Sequence, residues 1–339
     1  MAEPNRLHRS NFFRTTFALV IVVAAGASFI GVKRWRDSRS IAEVRNNLPS
    51  VPAGIPPALA QRLTEATRQI ESRATLREGL AELGRLYHAS GYAAEAETCW
   101  QLFRTLEPHD AHSAYYLADL RRTANDQEAM VELLRETTRL APDYAPAWLR
   151  LADALFKSGE IAGATGAYQK RLELVHDDPY ALLGLARIEL QQRQPLLARQ
   201  RLERLVQVAP KFSPGHNLYA EILAADGNNE NALKHRWLGR ETGRFRDADD
   251  PWLDELISWC FDYERLCLRG TVEFQNQIGD GGRACFERAI GLRPDALTAY
   301  ELLGNLESSQ GKPARARQQF ERGLARVPAA QLTAAYYAH

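Results

Sequence analysis

Pro108, Pro142 and Pro210 lie on a common ruler. The first two are 34 residues apart, the next two are twice that, and His176 stands on the skipped mark. Pro294 and Pro328 repeat the 34-residue interval. A fixed period of this size constrains the fold more than any other feature of the chain. A unit so short cannot bury an apolar face alone, so copies must stack and share a core.

The residues between the marks repeat as well. Leu83-Gly84, Tyr87, Gly91, Ala96, Trp100 and Phe103 precede Pro108, and Tyr300, Leu303-Gly304, Gly311, Ala316 and Phe320 precede Pro328. The interior units carry the same grammar, as in Leu151-Ala152, Gly159, Ala164 and Tyr168 before His176. Apolar residues three and four apart describe two amphipathic helices per unit. Gly91, Asn125, Gly159, Gly227 and Gly311 fall where the first helix must end in a left-handed residue. Small residues such as Gly84, Ala152 and Gly304, facing Ala96, Ala164 and Ala316, let paired helices cross closely. The proline closes the second helix, which it cannot continue.

This pattern resembles the tetratricopeptide repeat (TPR) family over roughly Arg77 to Ala330. The resemblance implies an all-α, right-handed solenoid of antiparallel helix pairs. The expected order is a capping helix over 58–76, five units over 77–246, two units over 263–330 and a tail over 331–339. Such an architecture holds partners of many kinds, so it defines a fold and a mode of binding, not a ligand.

The ruler breaks once. Pro210 to Pro294 is two periods plus sixteen residues, and the excess falls over 247–262. Asp250-Pro251 reads as a capping acid followed by proline at the first helical position. Trp252, Leu256, Trp259, Tyr263 and Leu266 then step by four and three, which predicts one long helix from Pro251 to Asn276. That helix adds core, or offers Trp252 and Trp259 as a second, aromatic interaction surface. In the preceding unit Arg236, Gly239 and Arg244 replace the usual large apolar, small apolar and proline. The turn Gly279-Asp280-Gly281-Gly282 interrupts the following unit and is too short for a phosphate cradle.

Ahead of the repeats, Thr15 to Val32 carries no charge. As a helix it spans about 27 Å, near the hydrocarbon thickness of a bilayer. The expected plan is a basic tail (1–14), one transmembrane helix (15–32) and a basic, proline-rich linker (33–57) with Lys33, Arg34, Trp35 and Arg36 at the interface. A cleaved signal peptide ending near Ala25-Gly26-Ala27 is the competing reading. The count of Lys and Arg favours a cytoplasmic C-terminal domain. The plan of a short basic tail, one span and a large distal domain instead resembles bacterial inner-membrane TPR proteins facing the periplasm, and that placement is the expectation.

The net charge of +1 argues against a nucleic-acid binder, which needs a basic surface. The four cysteines (Cys99, Cys260, Cys267, Cys285) form no Cys-x-x-Cys pair and read as small buried apolar residues, with Cys267–Cys285 a conceivable bridge in an exported domain. His109 and His112 around Asp110 read as a helix cap rather than a metal site. There is no His-Glu-x-x-His, Gly-x-Ser-x-Gly or phosphate loop. No enzyme, cofactor or metal is expected.

The resemblance also places the first helix of each unit along a concave groove. Candidate partner-binding residues there are Arg85, His88, His112, Tyr115, Arg122, Leu149, Phe156, Tyr180, Leu183, Arg187 and Asn217. Aromatic residues and arginine favour binding hot spots. Ala81, Tyr115, Leu149 and Leu183 occupy the place of one lysine of the carboxylate clamp found in chaperone-binding members, so that clamp is not expected. The functional expectation is a membrane-anchored scaffold or adaptor that binds a protein or peptide, with a purely structural subunit as the alternative.

Overall fold

The computed structural model describes residues 41–241, 248–275 and 281–326. The expected transmembrane helix at 15–32, the segments 1–14 and 33–40, Arg244, Gly279-Asp280 and the tail at 331–339 lie outside them. No helix among the described residues is long and apolar enough to cross a membrane.

After a helical turn over 41–46, helix α1 (Pro57–Gln69) precedes five pairs. These are α2 (Leu76–Ser90) with α3 (Ala93–Leu106), α4 (Ala111–Thr123) with α5 (Gln127–Leu140), and α6 (Ala145–Ser158) with α7 (Ile161–Leu174). Then follow α8 (Pro179–Gln191) with α9 (Pro195–Val208), and α10 (Ser213–Ala225) with α11 (Asn229–Glu241). A short helix α12 (Pro251–Glu255) and a 3-10 turn (Leu256–Trp259) lead into α13 (Tyr263–Gln275) with α14 (Gly281–Leu292), and α15 (Leu297–Ser309) with α16 (Pro313–Arg326). The result is an all-α solenoid of helix pairs, without strands among the described residues.

Local chemistry sets these boundaries. Asp110, Asp126 and Asp178 cap α4, α5 and α8, each side chain accepting from the backbone N–H three residues on. Gly91, Asn125, Gly159, Gly227 and Gly311 all have positive φ at the ends of first helices. Arg193, one period after Gly159, adopts the same conformation at φ 60°, where a side chain is disfavoured. Within pairs, contact requires missing side chains: a β-carbon on Gly84 would lie 2.7 Å from the Trp100 indole. Seams between units carry ion pairs such as Arg104–Glu136 and Arg135–Glu160. The buried pair Arg171–Asp178, at 2.7 Å, joins α7 to the start of α8.

The core has three clusters. One runs from Tyr115 to Ile188 and another from Leu182 to Ala232. The third joins the two ends of the chain, packing Leu59, Leu80, Trp100 and Tyr116 with Leu256, Tyr263, Phe286 and Tyr300. The chain therefore returns to its start instead of extending the stack. All four cysteines are buried and free, so Cys267 and Cys285 are not bridged.

The long helix expected from Pro251 to Asn276 does not form. Cys260 is extended at φ −78°, ψ 127°, and Asp262 starts a new helix by accepting from Arg265 N–H at 2.9 Å. The apolar residues of the proposed stripe face two surfaces that no single straight helix could reach. Trp252 packs among the first helices of units two and three, whereas Leu256, Tyr263 and Leu266 enter the shared core of the two ends.

A groove crossed by its own chain

The residues over 248–260 cross the concave side of the solenoid, and one carboxylate holds them there. Asp250 accepts from Tyr115 Oη (2.6 Å), Tyr144 Oη (2.7 Å) and Arg150 Nε (2.9 Å), while its own side chain caps α12 through Leu253 N–H. Repeat geometry makes this possible: Tyr115 lies mid-α4, Arg150 on α6, and Tyr144 immediately before α6. Arg150 also donates to Asp119 at 3.0 Å, so one guanidinium bridges two buried carboxylates. Asp119 accepts in addition from Arg122 and lies 3.2 Å from His88 Nε2.

These charges set one another. Burial alone would raise the Asp119 carboxyl, but the His88 contact and the Arg150 and Arg122 charges outweigh it and hold the group well below the usual carboxylate range. Burial, with the Asp250 charge, pushes the Tyr115 and Tyr144 hydroxyls far above their ordinary value, so both remain donors.

The indole next to Asp250 completes the seat. Trp252 stacks on Tyr144 (centroids 3.6 Å apart, 8° between planes) and on His112 (3.8 Å), and meets Tyr115 edge-on. Its backbone is bound too: Trp252 N–H donates to Tyr144 Oη, and Tyr116 Oη donates to Trp252 C=O. Beyond it, Arg85 lies over the Trp259 ring, and Phe261 N–H donates to Ser90 Oγ.

The crossing splits the concave face into two clefts. One, of about 440 Å³, is lined by Leu149, Arg150, Asp153, Lys157 and Tyr180 among others. The other, of about 600 Å³, lies against α13 and includes His88, Ile257, Leu268 and Val272. Asp153 has an exposed surface yet sits in a concave wall, where desolvation by neighbouring protein raises its carboxyl despite the hydrogen bond from Tyr168 Oη.

The candidate groove residues thus divide. Arg85, His88, His112, Tyr115 and Arg122 contact the crossing segment or the ion network beneath it, and of these Tyr115 and Arg122 also line the first cleft and His88 and Arg122 the second. Leu149 and Tyr180 line the open cleft. Phe156 is half-buried, Leu183 is core, and Arg187 and Asn217 are exposed, Asn217 against Gly239. Trp252 and Trp259, read from the sequence as added core or as a second aromatic interaction surface, are both partly buried against first helices of the array. Sequence reasoning missed Tyr144, Arg150 and Asp250 as a unit. Asp250 was visible only as a helix cap. No group of three or more metal-ligating side chains converges among the described residues.

A tetratricopeptide repeat model matches residues 127–181, 183–235 and 267–331, together just over half the chain, and the chain belongs to that family. It is 23% identical over 211 residues to the cellulose synthase 1 operon protein C of Komagataeibacter xylinus. The match takes in 62% of this chain and 15% of that relative, so the chain spans under a sixth of the relative's length. Among solved structures, it is similar to Pseudomonas aeruginosa pilF (15% identity, TM-score 0.44, covering 72% of this chain and 99% of that one). It is also similar to a TPR protein from Parabacteroides merdae (17% identity, TM-score 0.45, covering 74% and 93%).

Proposed function

We propose that this chain is a membrane-anchored TPR scaffold that holds a protein partner in the cleft left open beside its crossing segment. The observation that carries the reading is that cleft: about 440 Å³, concave, walled by Leu149 and Tyr180, with Asp153 and Lys157 on the same wall. Apolar and aromatic surface supplies burial there, and the few charges fix orientation. Groove chemistry of this kind binds and does not transform.

The apolar run over 15–32 supports anchoring, with lipid contact through that segment and the repeats held at a distance by the proline-rich linker. A periplasmic repeat domain of a bacterial inner-membrane protein is the placement adopted, with the cytoplasmic side as the alternative. Similarity to a cellulose synthase operon protein supports an accessory role in assembling or organising an envelope complex.

A photo-crosslinking residue at Tyr180, compared with one at the exposed Leu196, tests the cleft. A product identified by mass spectrometry at 180, absent at 196 and lost in Asp153→Arg, supports it. Equal labelling at both positions rejects it. The crossing segment favours a second reading, a structural subunit whose concave face serves its own chain. Crosslinks in the assembled complex that avoid Tyr180 and map elsewhere would select that reading. Thiol-labelling of a cysteine placed at Glu230 in intact cells decides the side of the membrane.

A further inference from the structure

The second helix of unit four reaches forward to unit five. On α9, Arg199 pairs with Asp226 at 3.1 Å, Glu203 accepts from Tyr219 Oη at 3.0 Å, and Leu205 packs so closely on Gly215 that a β-carbon there would collide. One period later, on α11, these positions hold Leu233, Trp237 and Gly239. Among the described residues no following first helix meets them, because the chain crosses the groove and builds its next pair beside the other end of the array. Leu233 and Trp237 are 63% and 59% exposed, one turn apart on a single face.

The substitutions change the character of this stacking face. Polar positions that tie one repeat to the next have become a leucine and a tryptophan, and the usual packing leucine has become glycine. Around them Lys234, Arg236 and Arg240 are exposed, with Glu230 the acid one turn back, while His235 turns inward to His216. A basic rim therefore surrounds an apolar pair at a site whose register in the preceding unit receives a helix.

We propose that the Leu233–Trp237 face of α11 receives an amphipathic α-helix of a partner protein. That helix carries an apolar stripe with acidic flanks, and it takes the stacking place that the chain's own next unit leaves empty. The register with α9 supplies the helical form of the occupant, and the basic rim supplies its charge. Aromatic anchors surrounded by charge concentrate binding energy in this way. This site lies on a second helix, apart from the concave cleft, and does not depend on the cleft's being occupied.

The test uses the full chain in detergent micelles and two fluorescent amphipathic peptides with the same leucine stripe. One has glutamate flanks and the other lysine flanks, and both are titrated by anisotropy. The glutamate peptide is expected to bind about tenfold tighter than the lysine peptide, and Trp237→Ala to weaken it by about tenfold or more. Tyr180→Ala, in the cleft, is expected to leave it unchanged. Trp237 is largely exposed, so an unaltered thermal transition for the variant confirms an intact fold. Equal binding of the two peptides, indifference to Trp237→Ala and Leu233→Arg, or loss on Tyr180→Ala would each overturn the proposal. So would sedimentation showing that Trp237→Ala converts a dimer to a monomer, since a second copy would then be the occupant.

Discussion

Arg150 Nε donates to Asp250 Oδ2 at 2.9 Å, joining the third repeat to a segment 100 residues further along the chain. The contact turns an open array into one braced across its concave face. Asp250 is buried and Arg150 partly so, and removing either partner would leave a desolvated charge unpaired.

Tyr144 makes two of the brace's bonds, donating to Asp250 and accepting from Trp252 N–H. Tyr144→Phe keeps the ring stacked on the indole and removes only the hydroxyl. The expected cost is about 1–3 kcal/mol, because a buried carboxylate and a backbone N–H each lose a partner. Urea unfolding of the two proteins measures it.

Trp252→Ala removes the stacked indole between Tyr144 and His112. It should destabilise by about 2–4 kcal/mol, below the fully buried case because Trp252 is only partly buried. Hydrogen exchange should quicken over 248–260 and in α4, and stay unchanged in α8 to α10. Uniform quickening would mean that the indole supports the whole stack and not the brace.

Asp119 gives the brace a pH dependence of known sign. Its folded pKa lies below the unfolded value of about 3.9. Its contribution is therefore complete above that value and is lost as pH falls through it toward the folded pKa. The stability gap between the wild type and Asp119→Asn should begin to narrow below about pH 4 and shrink steadily as pH falls further toward the folded pKa. A gap that fails to narrow below about pH 4 would contradict the ionised network.

Burial pushes the Cys99 and Cys285 thiols up to about 12, and raises those of Cys260 and Cys267. Thiolate is the reactive form, so the native chain should react slowly with Ellman's reagent at pH 8, and all four thiols should react in urea. Rapid native reaction of even one thiol would show that the shared core of the two ends opens readily.

The repeats were legible because their determinants are local. Leu83-Gly84, Ala96 and Pro108 act within one pair, and Gly91 or Asn125 need only their own turn. Arg193 escaped notice because a left-handed arginine has no compositional signature; the array imposes that conformation from outside. The brace was illegible for the opposite reason. Asp250 meets Tyr115, Tyr144 and Arg150 across 135, 106 and 100 residues, and its local role as a helix cap explains the same Asp-Pro pair equally well. Helical spacing in Trp252, Leu256, Trp259 and Tyr263 could not reveal that the chain turns at Cys260, since both arms keep apolar residues at intervals of three and four. Among the groove candidates, the 34-residue period placed His112 and Tyr180 at equivalent positions of α4 and α8. Only the fold shows that one is stacked on Trp252 and the other lines an open cleft.

A double-mutant cycle on Arg150→Ala and Asp250→Ala in urea tests the brace most directly. Residues this far apart in sequence couple only if the crossing segment sits in the groove. A coupling energy of about 1–3 kcal/mol is expected. Strict additivity of the two single changes would show that the segment does not seat there, and would remove the brace and the cleft it defines.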